Sequence, residues 1–203
     1  MEIDFREALV CVIGPPGSGK SNWLKWILQR DGFDRHLIWD PMREHDPNRL
    51  NVLRPPPASR YRRYEAGNDE LNKTVDEILS WPPRMRPEYL IIDEANRVLP
   101  NGRPPGEAVQ DLIDFNRHYE PGIGVWFVSR RPAQINSDAE NLSKYHIVFG
   151  YQGRNDRAAY ADIHEDLPDR LREKEPYQPV VVGPSGEIET FRACPDLGET
   201  RTI

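Results

Sequence analysis

Short apolar runs alternate with helical hydrophobic patterns along most of the chain. Each run is bounded by polar or turn-forming residues and therefore predicts a β-strand. The predicted strands are Ala8–Ile13, Leu37–Trp39, Tyr89–Ile92, Val125–Val128 and Ile147–Phe149. Two later runs, Pro179–Val182 and Glu187–Phe191, flank Gly183–Gly186 and predict a β-hairpin near the C-terminus.

The segments between these strands carry apolar residues at helical spacing. One predicted helix runs from Lys20 to Arg30, and another begins at a cap, Asn68 or Asp69. The other two predicted helices are Gly106–Asn116 and Asp156–Ile163. Strands alternating with helices are typical of a parallel sheet with crossover helices. The pattern predicts an α/β fold of three αβα layers around a mainly parallel central sheet.

The bulk composition is that of one ordinary globular domain. The chain has 203 residues, so we expect a core at about 8–150 and a helical and hairpin extension at 151–203. No apolar run approaches the roughly 20 residues that span a bilayer, and no secretion signal opens the sequence. We therefore expect a soluble protein that is not secreted and has no transmembrane segment. A net charge of −6 excludes a uniformly basic nucleic-acid coat protein but allows a local basic patch.

The strongest chemical signal is GPPGSGKS at 14–21, which follows a predicted strand and opens a predicted helix. Glycines let backbone N–H groups turn toward phosphate oxygens, and the helix N-terminus favours negative charge. A glycine-rich turn without a ligand is the alternative. The motif predicts binding of ATP with Mg²⁺, with Lys20 on the outer phosphates and Ser21 as a metal ligand. The predicted nucleotide-binding residues are Gly14, Pro15, Pro16, Gly17, Ser18, Gly19, Lys20, Ser21 and Asn22.

An acidic pair follows the third predicted strand, in YLIIDEAN at 89–96. We expect Asp93 to hold the Mg²⁺ water shell and Glu94 to polarise a water for attack on the γ-phosphate. A nucleotide kinase attacks with its substrate's hydroxyl and does not need that second carboxylate. The alternative is that the pair only begins a polar loop.

The stretch GVWFVSRRPAQI at 124–135 is an apolar strand that runs into positive charge. Ligands bind at the carboxyl ends of strands in open parallel sheets. If this strand lies between the phosphate-loop strand and the Asp-Glu strand, Ser129 and Arg130 sense or stabilise phosphate charge. The alternative for each arginine is a solvated loop residue.

The order of these motifs resembles that of the FtsK/HerA superfamily of DNA-pumping ATPases over about residues 8 to 150. The resemblance rests on the phosphate loop, LIWDPMRE (37–44), IIDEANRVLP (91–100) and RHYEPGIGVWFVSRRPAQI (117–135). The single-domain size is similar to that of the genome-packaging ATPases of membrane-containing icosahedral viruses. The third and fourth stretches also resemble the zonula-occludens-toxin-like assembly ATPases of filamentous phages. Members usually carry glutamine before Arg-Pro, where this chain has Arg130.

The resemblance implies a RecA-like sheet with an additional strand and ATP hydrolysis coupled to translocation of double-stranded DNA, independent of its sequence. It also implies a homo-oligomeric ring, a hexamer, working in the host cytoplasm or at a virion packaging vertex beside capsid or membrane proteins. Arg117 matches the family's arginine finger, which is donated to the neighbouring subunit's ATP. A helix-end arginine that interacts with the helix dipole is the alternative.

Two basic stretches are candidates for contacts with DNA phosphates. One combines arginines with tyrosines: Arg54, Arg60, Tyr61, Arg62, Arg63 and Tyr64. The other is the loop that carries Arg97 and Arg103. A solvated charged loop is the alternative for each. Three other functions stay open: a filamentous-phage export motor, a small-molecule phosphotransferase with a nucleoside-binding lid, and a nucleotide switch in which Glu94 has no task.

Overall fold

Eight strands form one sheet in the residues that the computed structural model describes, which are 3–30, 32–55, 64–151 and 153–195. In chain order the strands are β1 Leu9–Ile13, β2 His36–Trp39, β3 Val52–Leu53, β4 Tyr89–Ile92, β5 Gly124–Ser129, β6 Tyr145–Val148, β7 Val180–Val182 and β8 Ile188–Thr190. Their order across the sheet is β3-β2-β4-β5-β1-β6-β7-β8. The strands from β3 to β6 are parallel, whereas β7 is antiparallel to β6 and β8 to β7. The predicted C-terminal hairpin therefore extends the sheet.

Helices cover both faces of this sheet. In chain order they are α1 Lys20–Leu28, α2 Tyr64–Ser80, α3 Ala95–Val98, α4 Glu107–Phe115, α5 Ser137–Asn141, α6 Arg154–Ile163 and α7 Leu167–Glu173. The apolar face of α1 packs on one side of the sheet, and buried side chains of α2 to α7 pack on the other. The predicted three-layer α/β architecture is therefore confirmed.

The alternation of side chains along the central strands explains why both faces are covered. Leu9, Cys11 and Ile13 of β1 face the α2–α7 layer, while Val10 and Val12 face α1. Strands buried on both faces read as continuous apolar runs, as parallel sheets require. Aromatic rings fill much of the α1 side of the core: Phe5, Trp23, Phe33, Tyr89, Trp126, Tyr145 and Phe149.

The fifth strand positions the site. β5 lies between β1 and β4, with Ile13 opposite Ser129 and Ile92 opposite Phe127. This is the additional strand that the sequence predicts between the phosphate-loop strand and the Asp-Glu strand. Because all three strands are parallel, the residues that follow them meet at one edge of the sheet.

Some local predictions differ from the structure. Helix α2 begins at Tyr64, so the predicted cap at Asn68 or Asp69 is wrong. Asn68 lies inside α2 and is buried, and its side-chain amide donates to the carbonyl oxygens of Val98 and Pro104. The Asn68 side chain therefore binds backbone carbonyl groups of later segments and does not cap the start of its own helix.

Four short elements carry too little periodic signal to be predicted: β3, α3, α5 and α7. Helix α5 is the clearest case, because only its cap is strong in the sequence. The Asn136 side chain accepts hydrogen bonds from the backbone N–H groups of Asp138 and Ala139. In the described part of the chain, no helix is both long enough and apolar enough to cross a membrane.

Candidate nucleotide-binding site

The phosphate loop connects β1 to α1 and has the backbone that its glycines allow. Gly17 and Gly19 have φ angles of +76° and +103°, a region that residues with a side chain rarely adopt. The N–H of Gly14 donates to the carbonyl oxygen of Ser129, 3.2 Å away, which ties the loop to the end of β5. The loop is thus fixed at the sheet edge, with the N-terminus of α1 directly behind it.

Lys20 lies in the first turn of α1 and bends back over the loop. Its Nζ donates to the carbonyl oxygens of Gly14 and Pro15, the latter at 3.1 Å. Burial lowers the pKa of Lys20, while the negative charges of Asp93 and Glu94 oppose that shift. The ammonium group of Lys20 is thus partly desolvated and lies near two carboxylates, whose charge a metal ion bound with the nucleotide would offset.

A cleft of about 400 Å³ opens between the phosphate loop and the ends of β4 and β5. It brings together most of the residues predicted from sequence. The lining residues are Pro16, Gly17, Gly19, Lys20, Ser21, Asn22, Glu44, Asp93, Glu94, Val128, Ser129 and Arg130. Their placement agrees with a nucleotide site, and the role of each residue stays a prediction.

Asp93 is buried at the end of β4 and has fixed hydrogen-bond partners. Its Oδ1 accepts from the N–H of Glu94, and its Oδ2 accepts from Nε2 of His45, both at 2.9 Å. Ser21, in the same cleft, offers a hydroxyl oxygen. Hydroxyl and carboxylate oxygens are the hard ligands that Mg²⁺ prefers. Ser21 and Asp93 therefore fit a magnesium ion, with Asp93 suited to hold it through water because its oxygens are already engaged.

His45 and Asp40 belong to the site, although neither was assigned to it from the sequence. Asp40 follows β2, and its carboxylate accepts from the backbone N–H groups of Glu44 and His45 at 3.1 and 3.0 Å. These bonds shape the turn that delivers the buried His45 ring to Asp93. Polar atoms of Asp40, His45 and Asp93 lie within 4.8 Å of one another. Each carboxylate already accepts two hydrogen bonds, which explains the cluster as a positioning network.

The signal for this network was present in LIWDP. Asp40 directly follows its strand, as Asp93 does, and Trp39 of β2 lies opposite Ile92 of β4. Two acids that follow neighbouring parallel strands must lie close together. The sequence does not predict His45 in the site, because His45 and the nearby acidic residues match no known ligand motif.

Glu94 has an unusual backbone and two basic partners. Its φ and ψ are 51° and 40°, a left-handed conformation that is sparsely populated for a residue with a side chain. Oε1 accepts from Nε and Nη2 of Arg130 at 2.9 and 2.7 Å, and Oε2 accepts from Nε of Arg97 at 3.3 Å. The bond to Glu94 raises the pKa of Arg130. In this conformation both carboxylate oxygens are engaged by arginine side chains.

The other residues at the end of β5 have structural contacts. Ser129 is buried, and its hydroxyl donates to the carbonyl oxygen of Arg131 at 3.0 Å while still being able to accept. The Arg131 side chain lies 2.9 Å from the buried carboxylate of Asp156 on α6. Of the two adjacent arginines, Arg130 faces the cleft and Arg131 ties β5 to the C-terminal extension.

Arg117 is exposed in a 3₁₀ turn after α4, at the amino edge of the sheet. Its neighbour Asn116 donates to the carbonyl oxygens of Glu7 and Ile123, which lie before β1 and β5. The length of β5, roughly 20 Å at 3.3 Å per residue, separates Arg117 from the cleft of its own chain. Arg117 is therefore not among the residues that line the cleft, and its role as an arginine finger stays a prediction.

The two predicted DNA-binding stretches are only partly described. Arg60, Tyr61, Arg62 and Arg63 lie outside the described residues. Arg54 donates to the carbonyl oxygen of His45, and Arg97 pairs with Glu94. Arg103 is exposed in the loop between α3 and α4. The second stretch thus begins at the cleft itself, and its role toward DNA stays a prediction.

Solved structures with the same fold include genome-packaging enzymes of viruses. The genome-packaging NTPase B204 from Sulfolobus turreted icosahedral virus 2, in complex with AMPPCP, has a TM-score of 0.73 at 15% identity, covering 95% of this chain and 100% of that one. The DNA-packaging ATPase B204 from Sulfolobus turreted icosahedral virus has a TM-score of 0.71 at 16% identity, covering 94% and 100%. The pCW3 conjugation coupling protein TcpA has a TM-score of 0.58 at 16% identity, covering 95% of this chain and 62% of that one.

These likenesses define the class of fold. The chain has the α/β fold of P-loop NTPases, with the strand order that places a phosphate loop beside an acidic pair. The resemblance to genome-packaging ATPases is thereby confirmed at the level of fold. No protein-family model and no curated protein sequence matches the chain.

Proposed function

We propose that the chain is an ATP-hydrolysing motor that translocates double-stranded DNA as one subunit of a homo-oligomeric ring. The observation that carries this proposal is the cleft in which Lys20 faces Asp93 and Glu94 across the end of β5. A simple phosphate-binding loop needs only the first of these groups. The second carboxylate suits an enzyme that attacks the γ-phosphate with water.

The proposed reaction uses groups that line this cleft. The loop N–H groups and Lys20 bind the phosphates, and Ser21 and Asp93 hold Mg²⁺, which neutralises phosphate charge when bound. Glu94 accepts a proton from the attacking water as the water oxygen bonds to the γ-phosphorus. The bond from that phosphorus to the bridging oxygen breaks, and ADP leaves with the negative charge.

Arg130 has two possible anionic partners in the same cleft. In this structure it binds Glu94, and a γ-phosphate would offer it a second partner close by. Exchange between the two would free Glu94 to act as a base only when ATP is bound. Ser129, which borders the cleft, is suited to orient the water or a phosphate oxygen.

The position of Arg117 supports the proposed ring. An arginine at the amino edge of the sheet cannot serve its own cleft, but it suits a contact with a neighbouring subunit. Arginine supplied in trans contributes about 10³- to 10⁵-fold in rate in P-loop enzymes where it has been isolated. We propose a hexamer in which Arg117 completes the next subunit's site.

DNA is the proposed cargo, and packaging the proposed role. The fold shared with the B204 packaging enzymes over nearly the full length of both chains supports this role. Arginines of the stretches at 54–63 and 97–103 would contact phosphates without reading sequence. The motor would act in the host cytoplasm or at a packaging vertex, docked on capsid or membrane proteins.

The test is ATP turnover with and without double-stranded DNA of several unrelated sequences. We expect release of inorganic phosphate, and we expect every duplex to stimulate that release. We also expect the protein to displace a third DNA strand annealed to the duplex as it moves along. Each of these three results depends on ATP. Lys20→Ala should abolish all three. Turnover that ignores DNA would contradict the motor, and transfer of phosphate to a small acceptor would show a phosphotransferase instead.

A further inference from the structure

Tyr177 lies in the turn between α7 and β7 and touches the phosphate loop. Tyr177 is 57% exposed. A Cβ placed on Gly19 would lie 3.2 Å from Cδ1 of Tyr177 and 3.5 Å from its Cβ. The ring therefore packs against the last glycine of the loop while much of its surface remains open to a ligand.

Tyr177 and the acidic pair lie on opposite sides of β1. On one side, β5 and then β4 lead to Asp93 and Glu94. On the other side, β6 and then β7 lead to Tyr177. A nucleoside triphosphate with its γ-phosphate toward Glu94 and its phosphates on the loop therefore extends its nucleoside toward Tyr177.

The chain after β8 also reaches α1 on this side. The side-chain amide of Asn22 donates to Sγ of Cys194 at 3.2 Å and to the carbonyl oxygen of Pro195 at 3.3 Å. Asn22 lies one residue beyond Ser21, in the first turn of α1. Two segments of the C-terminal extension, the turn at Tyr177 and the stretch at Cys194, thus border the start of α1.

The backbone of Tyr177 is held in a sparsely populated conformation. Its φ is +65°, in the left-handed region that favours glycine or asparagine. The turn is fixed by Gln178, whose N–H donates to the carbonyl oxygen of Glu175 at 3.3 Å and whose Oε1 accepts from the N–H of Glu175 at 3.0 Å. Residues in such conformations cluster at ligand clamps.

We propose that Tyr177 is the stacking surface for the nucleobase, and that the C-terminal extension completes the nucleotide site. The inference rests on the proposed binding of a nucleoside triphosphate at the phosphate loop. Stacking on an aromatic ring accepts every base, because every base has a π-face. The site therefore binds nucleoside triphosphates with little discrimination between adenine and guanine.

The test compares three ligands by calorimetry with Mg²⁺: ATP, GTP and inorganic tripolyphosphate. In the wild-type protein, ATP and GTP should bind at least about tenfold more tightly than tripolyphosphate, a difference of about 1.4 kcal/mol. Tyr177→Ala should lose most of that advantage while its affinity for tripolyphosphate stays unchanged. Tyr177→Phe should keep it, because the ring is retained. Phe115→Ala, another exposed aromatic residue, should bind all three as the wild type does.

The outcomes separate this inference from the proposed function. Equal wild-type affinities for ATP and tripolyphosphate would overturn the stacking role and leave the phosphate loop intact, whatever the stability of the variants. An equal loss of affinity for ATP and for tripolyphosphate in Tyr177→Ala would show that the ring only supports the loop. That result would also overturn the stacking role. Failure of the wild-type protein to bind either ligand would instead contradict nucleotide binding itself.

Discussion

Both of the Arg130 nitrogens that contact Glu94 bind the same oxygen, Oε1, at 2.9 and 2.7 Å. The other oxygen of Glu94 accepts from Arg97. If Glu94 is the general base that we propose, a lone pair of its carboxylate must be directed at the attacking water, and release of Oε1 by Arg130 would supply one. Both carboxylate oxygens of Glu94 are thus engaged by arginines, on a backbone held in a sparsely populated conformation.

The first prediction concerns Arg130→Gln, which restores the residue usual in the family that the sequence resembles. If Arg130 moves to the γ-phosphate, the variant should lose about tenfold or more in its preference for ATPγS over ADP, since hydrogen bonds to charged groups are worth about 1.5–3 kcal/mol. Calorimetry with both nucleotides measures that preference. Arg131→Gln is the matched control, because its side chain binds Asp156. An unchanged preference in Arg130→Gln would leave Arg130 as a partner of Glu94 alone.

The second prediction concerns Glu94 itself. Glu94→Gln keeps the size and the acceptor oxygen but cannot take a proton, so ATP turnover should fall by about 10²- to 10⁴-fold, the usual contribution of general-base catalysis. Binding of ATPγS should persist, since Lys20 and the loop are untouched. Stopped-flow measurement of a single turnover separates the two effects. Near-normal hydrolysis by this variant would remove Glu94 from the chemistry.

The third prediction concerns His45, which lies 2.9 Å from Asp93. His45→Leu removes the donor and leaves one oxygen of a buried carboxylate without its partner, a cost of about 1–3 kcal/mol. We expect the Mg²⁺ concentration for half-maximal ATPase activity to rise several-fold. Nucleotide affinity in EDTA should stay unchanged, and His45→Gln, which can donate from a similar position, should recover part of the loss. Equal Mg²⁺ dependence in all three proteins would make His45 a packing residue only.

The fourth prediction uses the two cysteines to test the core. Cys11 is fully buried in β1, and burial raises the pKa of its thiol to about 12. The thiolate is the reactive form, so Cys11 should not react with a thiol reagent at pH 8 while the protein is folded. Cys194 is half-buried near the end of the described chain and should react. Native protein should therefore titrate one thiol and denatured protein two. Reaction of both cysteines at similar rates in the folded protein would contradict the placement of β1.

The sequence predicted the centre of this fold better than its periphery. β1, β4 and β5 are buried on both faces, so each reads as a continuous apolar run in the sequence. The order of these three strands was predicted from the phosphate-loop and Asp-Glu motifs that follow two of them. Asn68 misled the prediction of a helix start, because a capping residue type can equally serve a tertiary contact. His45 and Tyr177 reach the site from turns whose paths depend on hydrogen bonds, such as those of Asp40, that no periodicity encodes.

The last prediction tests whether Arg117 acts across a subunit boundary. It is exposed at the amino edge of the sheet, and β5 separates it from its own cleft, so Arg117→Ala should still bind ATP normally. Its turnover should fall by about 10³-fold or more if it is a finger. Wild-type activity per chain should also rise with protein concentration as subunits assemble, which light scattering follows in parallel.

Mixing two inactive variants makes the test decisive. In a mixed ring, an Arg117→Ala subunit retains Glu94 and can receive Arg117 from a Glu94→Gln neighbour, so that interface has every group it needs. Activity should therefore appear on mixing and pass through a maximum near equal proportions. Lys20→Ala with Glu94→Gln is the matched control, because both changes disable the subunit's own cleft and no neighbour can restore it. If mixed rings form and the rate stays at the level of the separate variants, Arg117 is not a finger in trans, and Arg130 becomes the first candidate for the charge on the γ-phosphate.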